Sequence, residues 1–305
     1  MNYTTAKAKK MSTQKVKNNL TSWAIMLPTL ILFGFFVWEP LLESIRLSLY
    51  SAKGTRLQAF IGFQNYLRVF RHPDFLPALG NTFLYTFWSL VIGFLVPIII
   101  AILISETPVM SGLFRTSVYF PNIMPGLATA MIWVYLFSPG PTGVLNILLG
   151  KIGIEPLVWL NNATLSIPTI VVAMTWKAAG STALIYMAAI GGINPELYEA
   201  ATIDGAKVWS RIWNITLPHI FKLGKTMLIL QIIAVFQILY EPLVMTNGGP
   251  NNASVSLMLV VYRFAFNNFN YPMGAALSVI ICIILVFLTL IYFRATKDKD
   301  EKKLI

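Results

Sequence analysis

The sequence predicts an all-α polytopic membrane protein with six transmembrane helices, and three observations support this fold class. Hydrophobic residues make up 56% of the 305-residue chain, whereas charged residues make up only 11%. A water-soluble domain carries about 25% charged residues, because its surface must face water. The apolar residues are also clustered in stretches of about 20, which is the length that a helix needs to cross a bilayer core.

Six stretches meet this requirement, and each is expected to be helical because lipid offers the backbone no hydrogen-bond partner. Their approximate bounds are 23–43, 82–104, 117–137, 167–191, 226–245 and 273–293. Prolines within or at the ends of these stretches are expected to be accommodated by neighbouring helices and local kinks. Near the outer end of the first stretch, Glu43 and Arg46 are three residues apart, so they are expected to pair on one helix face.

The net charge of +11 is placed in a way that argues for membrane orientation and against nucleic-acid binding. Lysine and arginine residues number fifteen on the two termini and the loops at 105–116 and 193–225, against six on the other three loops. Basic residues that flank transmembrane helices mark the cytoplasmic side. Both termini of this multi-pass membrane protein are therefore predicted to be cytoplasmic.

Other classes of site are not supported. The single cysteine, Cys282, excludes an intramolecular disulfide bond and a cysteine-based metal cluster. His72 and His219 have no second ligand at metal-binding spacing, so no metal site is predicted. The segment Gly224-Lys225-Thr226 lacks the first glycine of a phosphate-binding loop, and no strand precedes it. No catalytic residue and no cofactor are therefore expected in this chain.

The loop at 193–225 is predicted to hold two short helices that project from the bundle. Strong helix formers occupy Glu196–Ala201, and Gly205 is placed to end this helix in the left-handed conformation. Apolar residues then follow at helical spacing and predict a second, amphipathic helix that ends at Pro218. Lys207 and Arg211 are expected on its solvated side. Such a projection could fill a groove of another protein.

The same loop carries a family resemblance. Glu199-Ala200-Ala201, then Gly205, then Ile215-Thr216-Leu217-Pro218 are similar, in residues and spacing, to the EAA motif of permease subunits of binding-protein-dependent ABC importers. Further segments resemble sugar permeases of the maltose and glycerol-phosphate type, namely 60–66, Asn81-Thr82, 114–116 and 246–250. Asn247 replaces a usual glycine in the last of these, and asparagine also accepts the left-handed conformation.

The resemblance implies a type I ABC importer permease (MetI-like) fold and a working complex. The partners would be a second homologous permease, two ABC ATPase subunits that bind ATP, an extracytoplasmic solute-binding protein and a carbohydrate substrate. The resemblance also divides the chain into a basic tail (1–22), a first helix with an external loop (23–76), the permease domain (77–293) and a C-terminal tail (294–305). ATPase coupling would involve residues of the EAA loop: Glu199, Ala200, Ala201, Asp204, Gly205, Ile215, Leu217 and Pro218.

Polar residues inside the predicted spans suggest a substrate path. Lys177 lies near the middle of the fourth span, where a charge is costly unless it faces a cavity or a partner. The fifth span holds a further set of polar side chains suited to sugar hydroxyls, with Gln237 and Glu241 expected on one face: Gln231, Gln237, Tyr240 and Glu241. A structural ion pair for Lys177 and hydrogen bonds between helices for the others are the alternatives.

Two other functions stay open. Glycerol phosphate or a polyol could be the transported solute instead of a sugar. A secondary transporter or a membrane enzyme is the rival from another class. An inverted internal repeat with acidic residues in mid-membrane would favour a secondary transporter, and the sequence shows neither feature.

Overall fold

The computed structural model describes residues 22–53, 56–107 and 111–296, which form a helical bundle with one small β-hairpin. In chain order the elements are α1 (Ser22–Ser48), β1 (Tyr50–Lys53), β2 (Arg56–Phe60), α2 (Gln64–Phe70), α3 (Phe75–Ser105), α4 (Ser111–Ile123), α5 (Gly126–Leu136), α6 (Val144–Gly150), α7 (Ser166–Gly191), α8 (Pro195–Ile203), α9 (Val208–Phe236), α10 (Pro242–Thr246), α11 (Leu257–Asn267) and α12 (Tyr271–Thr296). The basic tails predicted at 1–22 and 294–305 lie almost wholly outside the described residues.

Five of the six predicted spans correspond to helices that are long and apolar enough to cross a membrane. Within the described ranges these helices are α1, α3, α7, α9 and α12. Most of them extend beyond the apolar stretches, because helical hydrogen bonding continues into the polar flanks. Thus α1 passes through Pro40 to Ser48. The predicted pair on this extension is confirmed, with Arg46 Nη1 3.4 Å from Glu43 Oε2. The fifth predicted span, 226–245, was too long at its C-terminal end, since α9 stops at Phe236.

The third predicted span, 117–137, is not one continuous helix, so the prediction of a single helix in this stretch was wrong. The chain leaves α4 after Ile123 and resumes helical structure at Gly126. Met124 precedes Pro125, and a residue that precedes proline is disfavoured in helical conformation. Pro125 itself has a ψ of 136°, which is extended. The segment α5 has 11 residues, too few to cross a bilayer alone. Hydropathy measures composition over a window and does not detect such a break.

Helix α7 is the centre of the bundle and packs against α3, α4, α5 and α9. Small residues allow these close contacts, as is common between membrane helices. At Gly180 a Cβ atom would overlap the Val118 carbonyl of α4, so α4 and α7 touch backbone to backbone there. The position and tilt of α4 therefore depend on this glycine.

A second packing region joins α2 and the start of α3 to α11 and α12. Its buried core includes Val69, Phe75, Val260 and Leu277. The hairpin is held beside it by Asn65, whose side-chain amide donates to the carbonyls of Ser48 and Tyr50 at 2.9 Å each. The chain between α1 and α3 is thus an ordered layer at one end of the bundle.

Candidate functional site

The loop predicted to project from the bundle forms a compact unit, and we call residues 194–218 the knob. It consists of α8, a short turn and the first turns of α9. Asn194 begins α8, because its side-chain Oδ1 accepts a hydrogen bond from Glu196 N at 3.1 Å. Pro195 follows at the first helical position, where its missing N–H would have had no helical partner. The sequence therefore sets the start of α8 locally.

Gly205 ends α8, as predicted. Its φ is +80°, a left-handed conformation that glycine adopts without the steric cost of a Cβ atom. Gly205 N donates to Thr202 O at 3.0 Å, and Ala206 N donates to Ala201 O at 2.8 Å. These two bonds form a Schellman motif, which satisfies the last carbonyls of a helix and reverses the chain. The chain enters α9 directly after this turn.

The second arm of the knob differs from the prediction. Pro218 does not end a short helix, because α9 runs without interruption from Val208 to Phe236. A π-type turn over Ile212–Thr216 precedes the proline, and Leu217 N donates to the carbonyl of Ile212 across it. Such a turn widens the backbone locally and accommodates the proline ring inside the helix. The knob is therefore continuous with the fifth span.

Polar contacts tie the two arms of the knob together. The hydroxyl groups of Tyr198 and Thr216 lie 2.8 Å apart. Arg211, expected on the solvated side, turns inward, and its side chain is only 21% exposed. It donates to Thr202 Oγ1 at 2.9 Å and pairs with Glu106 at 3.5 Å. The prediction that Arg211 lies on the solvated side was therefore wrong. Helical periodicity considers one helix alone, whereas the long Arg211 side chain extends to Glu106 outside that helix.

Most residues of the predicted coupling set lie at the surface of the knob. The five exposed residues are Glu199, Ala200, Asp204, Gly205 and Pro218. The three half-buried residues are Ala201, Ile215 and Leu217. Large apolar side chains stand beside them, with Ile203 86% and Trp209 72% exposed. Exposed apolar groups gathered within a polar rim are typical of a protein contact surface.

A second group of predicted residues lies near the break between α4 and α5. Lys177 of α7 and Tyr240 both approach Gly126, where a Cβ atom would lie 3.4 Å from Lys177 Nζ and 3.9 Å from Tyr240 Cδ2. Glu241 lies within electrostatic range of Lys177, at a separation longer than that of an ion pair, and both side chains are half-buried. Tyr240 is 59% exposed, so the group lies at the edge of the bundle near the break between α4 and α5; we call Lys177, Tyr240 and Glu241 the interior cluster.

The two glutamines of the predicted path lie elsewhere. Gln231 lines a separate cavity of about 100 Å³ together with Ser89, Thr175 and Thr182. Gln237 borders a groove of about 500 Å³ between α9 and α12. The prediction that Gln237 and Glu241 share a helix face was wrong. Helix α9 ends at Phe236, and residues four apart share a face only within a continuous helix.

The loop after α10 confirms the expected role of Asn247 as a turn residue. Its φ and ψ are 48° and 33°, within the left-handed region that asparagine tolerates better than most residues. Arg263 donates to the carbonyl of Asn247 at 2.6 Å and pairs with Asp74 at 3.2 Å. Arg263 therefore connects this loop to α11 and to the start of α3.

Glu106 and its contacts were missed from the sequence. The available signal was small: Glu106 is the one acidic residue in the loop at 105–116, directly after an apolar stretch. Thr216 was noted only as part of the Ile215–Pro218 segment, and Thr202 carried no signal of its own, since threonine is common in loops and helices alike. Only the fold brings these residues together.

Comparison with known proteins identifies the family of this chain. The family model described as binding-protein-dependent transport system inner membrane component matches residues 93–297. The lactose transport system permease protein LacF of Rhizobium radiobacter is 30% identical over 289 residues, covering 92% of this chain and 95% of LacF. The trehalose/maltose transport system permease protein MalF of Thermococcus litoralis is 29% identical, covering 93% of this chain and 99% of MalF.

Solved structures give the same result at the level of the fold. A chain of a bacterial ABC transporter involved in the import of the acidic polysaccharide alginate superimposes with a TM-score of 0.76 and 28% identity, covering 93% of this chain and 98% of that one. A second structure, the alginate transporter in complex with an alginate pentasaccharide-bound periplasmic protein, gives a TM-score of 0.78 at 27% identity, over 92% and 95% of the two chains. The chain therefore belongs to the family of binding-protein-dependent transport system inner membrane components and is a permease subunit of an ABC importer.

Proposed function

We propose that this permease imports a sugar or oligosaccharide, together with a second homologous permease, two ABC ATPase subunits and an extracytoplasmic solute-binding protein. The observation that carries the proposal is the knob. Its two arms are locked by the turn at Gly205 and present exposed acidic and apolar groups away from the bundle. A protruding, internally braced surface of this kind suits a groove on a partner subunit.

The knob would act as the coupling element. ATP hydrolysis would take place in the ATPase subunits, so this chain would bind no cofactor and catalyse no reaction. Closure of the ATPase pair would move the two knobs, and each knob would move its own bundle. Because α9 is continuous from the knob into the membrane, displacement of the knob would be carried along a single helix into the interior. Two bundles that rock about a central site would give alternating access.

The orientation proposed for this mechanism places the knob and both termini in the cytoplasm. The distribution of lysine and arginine, fifteen against six, supports this arrangement by the positive-inside rule. The hairpin, α2 and the loop at Asn247 would then face the solute-binding protein.

The interior cluster supports a carbohydrate as the substrate. Sugars are held by hydrogen bonds to their hydroxyl groups and by aromatic faces, and Lys177, Glu241 and Tyr240 offer both kinds of contact near one another. Similar proteins are named as transport proteins for lactose and for trehalose and maltose. Glycerol phosphate or a polyol is the alternative, because a lysine beside a glutamate also suits smaller polar solutes.

Purification of the complete complex from native membranes tests the proposal. The complex would be isolated through a tag on this chain, its subunits identified by mass spectrometry, and uptake measured in proteoliposomes with labelled neutral sugars, oligosaccharides and glycerol phosphate. We expect two ATPase copies, a second permease and ATP-dependent uptake of a saccharide in the presence of the solute-binding protein. Recovery of this chain without an ATPase, or uptake of glycerol phosphate alone, would contradict the proposal.

A further inference from the structure

The attachment of the knob to the rest of the bundle is mainly polar. None of the residues of α8 is buried, so apolar packing does little to hold this helix in place. Its connections are the turn at Gly205, the hydroxyl contact between Tyr198 and Thr216, and the contact of Thr202 with Arg211. Of these residues, Arg211 also contacts Glu106, which directly follows α3.

One guanidinium group joins three segments. Arg211 Nη1 donates to Thr202 Oγ1 at 2.9 Å, while Thr202 Oγ1 donates to the Tyr198 carbonyl within α8 at 2.7 Å. Arg211 Nη2 lies 3.5 Å from Glu106 Oε2. Glu106 directly follows α3, and its backbone N–H still donates to Ile102 O. The planar fork of arginine serves two partners at once, which a lysine ammonium does with less geometric definition.

This contact is sheltered from solvent. The Arg211 and Glu106 side chains are 21% and 27% exposed, so the pair is less screened than a surface ion pair. At 3.5 Å the contact is an ion pair, a kind of contact that shifts an equilibrium by up to about fivefold at an exposed site. The pair therefore favours one orientation of the knob against α3.

Helix α3 extends this connection into the membrane interior. Its middle part carries Gly93, where a Cβ atom would lie 2.9 Å from Gln231 Nε2 of α9 and 3.2 Å from Thr175 Oγ1 of α7. A movement of the end of α3 thus reaches the polar cavity around Gln231. Without the Arg211–Glu106 contact, the knob would be joined to the bundle through α9 and through the chain that enters α8 from α7.

We propose that Arg211 is a positioning residue that fixes the knob to α3 through Glu106, so that displacement of the knob moves α3 and α9 as one body. The inference rests on the proposed coupling function of the knob. It assigns to Arg211 and Glu106 a role in force transfer and no direct contact with the ATPase or the solute.

The test compares Arg211→Gln, Glu106→Gln and the charge exchange Glu106→Arg/Arg211→Glu in the complete reconstituted complex. Lys222→Gln is the matched control, since it removes an exposed cation from the same helix. The measurements are ATPase subunits retained in pull-down, ATP hydrolysed, and solute taken up per ATP. We expect each single variant to retain the ATPase subunits but to lower uptake per ATP about fivefold, and the charge exchange to restore most of it.

A distance measurement gives a second readout that a loss of general stability would not produce. Spin labels at cysteines replacing Leu103 and Ile203, both exposed, in a Cys282→Ser background report the separation of α3 and α8. The distribution should be narrow in the parent, broad in Arg211→Gln and narrow again in the charge exchange.

The outcomes separate this inference from the proposed function. If Arg211→Gln and Glu106→Gln match Lys222→Gln while Gly205→Val and Glu199→Ala uncouple transport, the inference is wrong and the coupling role of the knob stands. Loss of the ATPase subunits in Arg211→Gln, unrelieved by the charge exchange, would place Arg211 in the ATPase contact instead and overturn the inference. If Gly205→Val and Glu199→Ala also couple ATP hydrolysis to solute uptake as the wild type does, the proposed coupling role of the knob is wrong as well.

Discussion

At the scale of single residues, the interior cluster shows how a charge is kept inside a membrane protein. A lysine at the centre of a transmembrane helix raises the free energy of insertion by about 2.5–3.5 kcal/mol. Lys177 faces Gly126 beside the break at Pro125, and Glu241 lies within electrostatic range, which reduces this cost. The sequence predicted that Lys177 needs a cavity or a partner; that the nearby acid is Glu241 became clear only in the fold.

The interior cluster can be tested as a substrate path against the alternative of a structural pair. Lys177→Met and Glu241→Gln should each lower ATP-dependent uptake at least about tenfold, since each removes a charged hydrogen-bond group from the solute. Assembly with the partner subunits should stay normal. The double variant distinguishes the two roles: a path loses transport in the double variant too, whereas a structural pair recovers it when both charges are removed together. Lys151→Met, at an exposed lysine, is the control.

At the scale of secondary-structure elements, three prolines have different consequences for the helices around them. Pro121 lies inside α4, Pro125 separates α4 from α5, and Pro218 lies inside α9. Whether a proline ends a helix depends on whether nearby groups satisfy the carbonyl that it leaves free. That information is tertiary, so the sequence predicted the existence of the spans well and their continuity poorly. Gly205 behaved as predicted, because a Schellman turn is decided by local backbone geometry.

The turn of the knob gives the prediction at this scale. Gly205→Val places a β-branched residue in left-handed conformation, at a cost of about 1–3 kcal/mol, so the end of α8 should distort. We expect normal insertion, weaker ATPase association and ATP hydrolysis without solute uptake. Gly205→Asn should stay close to wild type, because asparagine accepts this conformation. Gly112→Val is the matched control, at a helical glycine with open space around it.

Glu199 tests the surface of the same element independently of its backbone. Its side chain is exposed, so Glu199→Ala should leave α8 folded while it removes a charge-assisted contact to the ATPase, a bond about twice as strong as a neutral one. The expected result is reduced pull-down of the ATPase subunits and uncoupled hydrolysis, measured beside uptake in proteoliposomes. If Glu199→Ala and Gly205→Val both bind the ATPase subunits and transport at wild-type rates, the knob is not a coupling element.

At the scale of the whole molecule, orientation in the membrane follows from charge and is open to direct measurement. Asn161 precedes α7 and Lys207 follows it, and both are exposed. The 26 residues of α7 rise about 39 Å at 1.5 Å per residue, so these two positions lie on opposite sides of the bilayer. In a Cys282→Ser background, a cysteine at Asn161 should react with an impermeant thiol reagent added to intact cells, and one at Lys207 should not. Membranes opened with detergent should label both, which shows that each thiol is reactive. The reverse pattern in intact cells would place the knob outside the cell, away from any ATP-hydrolysing partner, and the six-span orientation would be wrong.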